Sequence, residues 1–220
     1  MAAVVPLAAA QWPWVGFARS FFPNLAGRSL PFAVGSAFLI NPAVALTASH
    51  VVYDTVNYGG QALQVDLTFP GQPTIRAAEF IPTNEWINQD SANNYAFSAF
   101  DIAAIFFNPP LSGVPFVGFD SGVNLPGEIT VVGFTGNNYP TVPFYGGTCF
   151  PTASSFDAFR ISYPLGTLDG MSGSPVYTVD SSNRPTVRGI HTSLPVPDSG
   201  NALRFTDGIL NLINRTWLGR

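Results

Sequence analysis

Short runs of apolar residues recur along the chain, and most are closed by Gly, Pro or Asn. They lie at Trp14–Ala18, Phe32–Ile40, Val44–Leu46, Leu63–Phe69, Thr74–Phe80, Ile102–Phe107, Ile129–Phe134, Phe159–Tyr163, Pro175–Val179, Val187–His191 and Ala202–Phe205. So many short runs with turn residues between them predict an all-β chain, folded as a sandwich or a barrel. Twenty prolines and 21 glycines oppose long helices. Two segments read as helical. One is a turn around Ser49–Tyr53. The other spans Asp207–Trp217, where Asp207 is a good N-cap and Ile209, Leu210, Leu212, Ile213 and Trp217 form an apolar stripe. The stretch Asn84–Ser98, rich in Asn, Ser and aromatic residues, reads as a long loop. Asn108-Pro109-Pro110-Leu111-Ser112-Gly113 suits an extended crossing between two compact halves, because a residue before proline is held out of the helical region.

Composition narrows the picture. A chain of 220 residues fits one large domain or two small ones, and all-β barrels reach this length as a single unit. With 46% hydrophobic and 10% charged residues, the chain is not a disordered one. Its apolar runs, such as Ala33–Ile40 with Gly35 and Ser36 inside it, cannot cross a bilayer as a helix. A net charge of −4 opposes a general nucleic-acid binder. Neither nucleic acid nor membrane is therefore expected as a partner. Cys149, the one cysteine, has no partner for an internal disulfide. His50 and His191 are the only histidines and no Cys cluster accompanies them, so no metal or other cofactor is expected. Met1–Ala10 is apolar but lacks the positive flank of a signal peptide. All nine basic residues are arginine, which compositional bias explains; a lysine-free chain also offers no side chain for ubiquitination.

Three stretches carry candidate chemistry. A reactive serine needs a base beside it, a sharp turn that exposes it, and backbone N–H groups that can hold an oxyanion. Asp169-Gly170-Met171-Ser172-Gly173-Ser174-Pro175 places glycines on both sides of Ser172, ahead of the run Pro175–Val179. Alone, this heptad also reads as a Gly/Ser loop before a strand. Upstream, Thr47-Ala48-Ser49-His50 and Phe100-Asp101-Ile102-Ala103 supply a histidine and an aspartate. His50 and Asp101 are 51 positions apart and Ser172 follows after 71 more. The order His, Asp, Ser is one of the chain orders in which a catalytic triad occurs. Asp90 stands as a substitute for Asp101, and Ser174 as a weaker one for Ser172, since the glycines bracket Ser172.

These stretches resemble chymotrypsin-like serine proteases. Gly35-Ser36-Ala37-Phe38-Leu39-Ile40 with Leu46-Thr47-Ala48-Ser49-His50-Val51-Val52 is similar to the family's histidine segment. Phe100-Asp101-Ile102-Ala103-Ala104-Ile105 is similar to its aspartate segment, and Gly170-Met171-Ser172-Gly173-Ser174-Pro175 to its serine segment. The resemblance covers nearly the whole chain and is weakest over the first dozen residues. It implies two antiparallel six-stranded β-barrels, a C-terminal helix, and an active site in the cleft between the barrels. The chain would then be a single peptidase domain, with an N-terminal barrel over about 12–107, a C-terminal barrel over about 116–206 and the helix over 207–217. His50 would take the proton of Ser172, Asp101 would orient the imidazole, and the N–H groups of Gly170 and Ser172 would form the oxyanion hole. Such a donor is typically worth about 3 kcal/mol. Secretion and a monomeric state are what the resemblance favours.

Two departures from the family pattern bear on regulation and specificity. Met171 stands where trypsin-type enzymes carry the aspartate that pairs with a new amino terminus, so that activation switch is not expected. Gly166 stands where a trypsin-like pocket would hold its aspartate, which leaves no carboxylate for a cationic substrate. Thr167 and the later Gly189-Ile190-His191-Thr192-Ser193 instead resemble the glutamyl endopeptidase branch, in which a threonine and a histidine line the primary pocket. Viral relatives that prefer Gln carry such a histidine too. An imidazole N–H and a hydroxyl can both donate to a carboxylate or an amide oxygen. His191 could equally be a strand residue satisfied by the backbone. Thr192 is expected to support the triad aspartate, and Leu194-Pro195 replaces the glycines usual after this strand. The leading expectation is a serine endopeptidase that cleaves after Glu. The alternatives are a polyprotein-processing protease of single turnover with Gln/Glu preference, and a non-catalytic binding module on the same fold; the complete His50, Asp101, Ser172 set opposes the last.

Overall fold

Strands form where apolar residues run between turn residues, and the computed structural model describes residues 2–23, 32–90, 99–123, 125, 127–136, 142–152, 158–193 and 199–220. The chain opens with β1 (Ala2–Ala3) and β2 (Val5–Pro6), both of which pair with strands of the second half. The first sheet begins with β3 (Val15–Phe21), β4 (Ala33–Asn41) and β5 (Val44–Thr47). The β4–β5 turn is fixed locally, because the Asn41 side chain accepts from the Ala43 N–H at 2.8 Å. Next come α1 (Ser49–Val52), β6 (Tyr53–Asp54), α2 (Thr55–Tyr58) and β7 (Gly60–Gln61). The sheet is completed by β8 (Gln64–Thr68), β9 (Thr74–Arg76), β10 (Glu79–Pro82) and, after α3 (Asn84–Asp90), β11 (Ala103–Phe106). Its strand order is β10-β11-β5-β4-β3-β8-β9.

Residues 107–117 then run along the β4–β5 hairpin, with the Leu111 N–H donating to Pro42 and the Val117 N–H to Leu39. The second sheet contains β12 (Gly118–Phe119), β13 (Ile129–Phe134), β14 (Phe144–Cys149), β15 (Arg160–Tyr163), β17 (Pro175–Val179), β18 (Pro185–Ser193) and β19 (Gly200–Arg204). The short β16 (Leu165–Gly166) pairs with β1 beside it. The main path is β15-β19-β18-β17-β13-β14-β2. The architecture is thus mostly β, two curled antiparallel half-barrels with few helices, as expected. Short edge strands make the described sheets seven- and eight-stranded rather than six-stranded.

The largest apolar cluster lies between the sheets. Phe17 of β3 meets Phe134 of β13 edge to face at 5.9 Å, and Trp14 meets Tyr177 of β17 at 5.6 Å. A second cluster gathers Val4, Ile129, Val131, Ile161, Leu165 and Met171 around the second sheet. Three expectations need correction. Part of Asn84–Ser98 is helix α3, because Trp86 is buried and its indole N–H reaches the Tyr53 carbonyl at 3.1 Å, while Thr83 caps the first turn; residues 91–98 lie outside the described residues. Strand β14 escaped the pattern because Gly146 and Gly147 interrupt it; a Cβ on Gly146 would sit 2.6 Å from Leu7 and 2.9 Å from the Val131 carbonyl, and one on Gly147 2.7 Å from Leu165. The final helix is α4 (Asp207–Asn211), continued by a wider coil over Leu212–Trp217, and its N-cap is Thr206, not Asp207. Ile209, Ile213 and Trp217 bury its stripe.

Candidate active site

The register of β5 and β11 places the first pair of candidate residues. Ala103 pairs with Thr47, so the residues just beyond each strand end, Asp101 and His50, come side by side. The Ser49 hydroxyl ties this corner by donating to the Ile102 carbonyl at 2.6 Å. One oxygen of Asp101 accepts from the His50 backbone N–H at 3.0 Å, and the other lies 2.8 Å from Nδ1 of the ring. Asp101 is buried, while 23% of the His50 side chain stays open. The Trp86 ring lies 6.2 Å from the imidazole, so α3 walls one side of it. Nothing is described for the Asp90 side chain, the alternative to Asp101.

The loop Leu168–Ser174 is held by both sheets. From the first, the Ser36 N–H of β4 donates to the Ser172 carbonyl at 2.7 Å. Toward the second, the Gly173 N–H donates to the His191 carbonyl at 2.9 Å. Two glycines make this turn possible. Gly170 has φ +92° and Gly173 has φ +86°, angles that other residues adopt at a cost. At Gly173 a Cβ would also strike the Ser36 carbonyl and the Thr47 hydroxyl. Gly35 brings the loop to the histidine helix: a Cβ there would lie 2.7 Å from Val51 of α1 and 3.2 Å from the Ser172 carbonyl.

From Gly170 to Ser174 the N–H groups divide into two sets. Those of Met171, Gly173 and Ser174 donate to backbone carbonyls. Those of Gly170 and Ser172 have no acceptor among the described residues. Two unpaired amides, separated by one paired one, are what an oxyanion site requires. Ser172 is half-buried, so its side chain is reachable. The Ser174 hydroxyl is fully buried against Gly133 and has no partner among the described residues.

A second polar cluster lies behind the loop. His191 of β18 is only 2% exposed. Its Nδ1 is 2.6 Å from the Tyr163 hydroxyl at the end of β15, and its Nε2 is 3.1 Å from the Thr167 hydroxyl just past β16. A Cβ on Gly200 would strike the Tyr163 ring, so that glycine makes room for the phenol. Burial pushes the His191 pKa down to about 3, the charge of His50 adds to the effect, and the Asn201 carbonyl works against it. Burial likewise raises the Tyr163 pKa well above its usual value, so the phenol keeps its proton. The expectation for Thr192 needs correction: its hydroxyl lies 3.4 Å from the Asn201 carbonyl, and among the described residues Asp101 is bonded by His50 alone. A bulge of β18 between His191 and Ser193 turns Thr192 out of register. Leu194-Pro195 lies outside the described residues.

Comparison with known proteins now decides the family. The model of the trypsin-like peptidase domain matches residues 35–190, which include His50, Asp101 and Ser172. The chain belongs to the trypsin-like peptidase family. Three solved structures share this fold. One, a Glu endopeptidase in complex with MPD, has a TM-score of 0.76 at 19% identity, over 98% of this chain and 97% of that one. A thermostable serine protease, AL20, from an extremophilic microorganism has a TM-score of 0.67 at 16% identity, over 96% and 100% of the two chains. The protease Anisep from Arthrobacter nicotinovorans has a TM-score of 0.63 at 15% identity, over 92% and 94%. No curated protein matches the chain.

Within this trypsin-like frame, Met171 is fully buried in the second apolar cluster. No group of three potential metal ligands occurs among the described residues. Tyr163 and Trp86 are the neighbours of the two histidines that sequence reasoning missed. For Tyr163 a signal existed: its place at the end of an apolar run, four residues before Thr167, was legible, though its contact with His191 was not.

Proposed function

We propose that the protein is a serine endopeptidase that hydrolyses peptide bonds through an acyl-enzyme, with Glu preferred before the scissile bond. Ser172 is the nucleophile and His50 the base that takes its proton and returns it to the leaving amine. Asp101 fixes the imidazole with Nδ1 protonated, which leaves Nε2 to act on the serine. The unpaired N–H groups of Gly170 and Ser172 receive the oxyanion. The observation that carries this reading is the double grip of Asp101 on His50, through the backbone N–H at 3.0 Å and Nδ1 at 2.8 Å. A structural ion pair has no need of both. The preference for Glu rests on the Thr167 and His191 donors, with Gly166 where a cation-binding carboxylate would stand, and the Glu endopeptidase fold is consistent with it.

A fluorophosphonate should add once, on the peptide containing Ser172. A label on Ser174, or none on folded protein, would remove the assignment. Multiple turnover on short peptides separates this reading from a polyprotein protease of single turnover and from a binding module.

A further inference from the structure

Strand register lines up two rungs of side chains on one face of the first sheet. Phe17 pairs with Thr68 and Thr68 with Thr74; Arg19 pairs with Asp66 and Asp66 with Arg76. Paired residues project to the same side of a sheet, and so do residues two apart along a strand. A cavity of about 260 Å³ opens on this face, with apolar walls from Phe17, Phe69, Phe134 and Val142. Arg19 is the one charged side chain that lines it among the described residues. Only 20% of that side chain is exposed. Its Nη2 donates to the Thr74 hydroxyl at 3.3 Å and stands 3.7 Å from Asp66, too far for a hydrogen bond. Nε is buried without a partner among the described residues, and Nη1 has none there either. Asp66 is engaged elsewhere: the Gln64 amide donates to both its oxygens at 2.9 Å, and Nε of Arg76 donates to one at 3.4 Å. Two arginines thus share one carboxylate, and the rung keeps one net positive charge.

We propose that this cavity binds a medium-chain fatty acid, with the carboxylate on Arg19 and the hydrocarbon tail against Phe17, Phe69 and Phe134. The site is lined by none of His50, Asp101 and Ser172, so the inference goes beyond the peptidase reading and does not depend on it. Small-molecule sites are concave and mainly apolar, with a few polar groups that fix orientation. A guanidinium takes a carboxylate through two parallel N–H bonds, and here it has donors and a charge to spare. The tail removes apolar wall from water. The cavity is smaller than most ligand sites, which run from roughly 300 Å³ upward, so a short tail fits better than a long one. A peptide fits less well, because each amide it buries needs a partner. Beyond Arg19 the polar side chains of the lining are those of Thr68, Gln72 and Thr74, and the two threonine hydroxyls already bond each other at 2.8 Å.

Octanoate is the probe, titrated into the full chain at neutral pH and followed by calorimetry and by amide NMR shifts. It should bind once, with a Kd below about 1 mM, while acetate and octanol bind at least about tenfold more weakly. Arg19→Gln keeps part of the stem and removes the charge, and should weaken octanoate at least about tenfold. Arg19→Lys keeps the charge without the fork and should lose less. Octanol binding as tightly as octanoate would make the cavity an apolar void and overturn the proposal. So would a Gln variant that binds like wild type, a Lys variant no better than the Gln variant, or no saturation by octanoate at about 10 mM. Hexaglutamate is the rival ligand: if it binds more tightly than octanoate and loses that binding in Arg19→Gln, the partner is an acidic peptide and the fatty-acid assignment falls. Should the Arg19 variants not fold, Ala9→Phe fills the cavity from the N-terminal segment and must abolish octanoate binding. Unchanged binding by that variant would put the ligand elsewhere and overturn the site.

Discussion

His50 and His191 are the same side chain held in two different ways. His50 is 23% open and has a carboxylate 2.8 Å from its Nδ1. His191 is 2% exposed and has a hydroxyl on each nitrogen. A carboxylate partner favours an imidazolium, whereas burial among hydroxyls excludes one. The first ring can therefore carry a proton through a reaction cycle, and the second keeps one tautomer. The two settings are also coupled, because the charge of His50 is among the causes that hold His191 neutral. Conversely, a neutral His191 does not oppose the imidazolium that His50 becomes when it takes a proton. The partner, more than the residue type, assigns the role.

The comparison breaks most sharply at the first histidine. Ser172→Ala should keep the fold and peptide binding and lose turnover by about 10⁶-fold. Unfolding of this variant, seen by circular dichroism, would make the serine structural. Asp101→Asn should lower kcat by about 10⁴-fold with little change in KM, since the amide fixes the ring in the wrong tautomer. An activity loss below tenfold would mean that the grip of Asp101 on His50 serves the fold and not the chemistry.

The same contrast explains what could be read from sequence. His50 and Asp101 stood in contiguous apolar segments, and the strands that carry them, β5 and β11, begin and end close to the expected positions. Strand β13 was legible because Ile129–Phe134 is a closed apolar run. Strand β14 was not, because its glycines face side chains of the N-terminal segment and of β16 that periodicity cannot reveal. Helix α3 was hidden for a related reason: one buried tryptophan and a Thr83 cap outweigh a polar composition. The second histidine's setting was the least legible. Its partners come from the end of β15 and from just past β16, and composition does not say which polar tips meet. Thr192, one residue from His191, was misread because a bulge is invisible in the pattern.

The second histidine should also mark the acid limb of stability. Its pKa is about 3 in the folded chain against 6.5 for an unperturbed histidine. Below pH 6.5 the unfolded chain binds a proton that the folded chain refuses, so stability falls with falling pH. The contribution is complete above about pH 6.5 and is lost down to about pH 3, at up to roughly 1.4 kcal/mol per pH unit and roughly 3 to 5 kcal/mol in all. Urea unfolding between pH 7 and pH 4 should therefore show a shallower slope for His191→Gln than for wild type, even if the variant is less stable at pH 7. Equal slopes would mean that His191 is charged in the folded chain, and the contrast between the two rings would vanish.

The smallest effect is expected at Ser174, which lies between the two settings. Its N–H donates to the Met171 carbonyl at 2.9 Å, and its carbonyl accepts from the His191 N–H at 2.8 Å. Its backbone thus joins the loop of Ser172 to the strand of the buried ring. Its hydroxyl does neither job, being enclosed against Gly133 with no partner among the described residues. A buried hydroxyl without a partner destabilises, and removing it leaves a void smaller than a methyl group. These effects nearly cancel. Ser174→Ala should shift stability by less than about 1 kcal/mol, toward stabilisation, and leave peptide turnover within about twofold of wild type. The measurement is urea unfolding together with fluorophosphonate labelling of the same preparation. If labelling were abolished while the fold survived, Ser174 would be the nucleophile, and the unpaired amides of Gly170 and Ser172 would need another explanation.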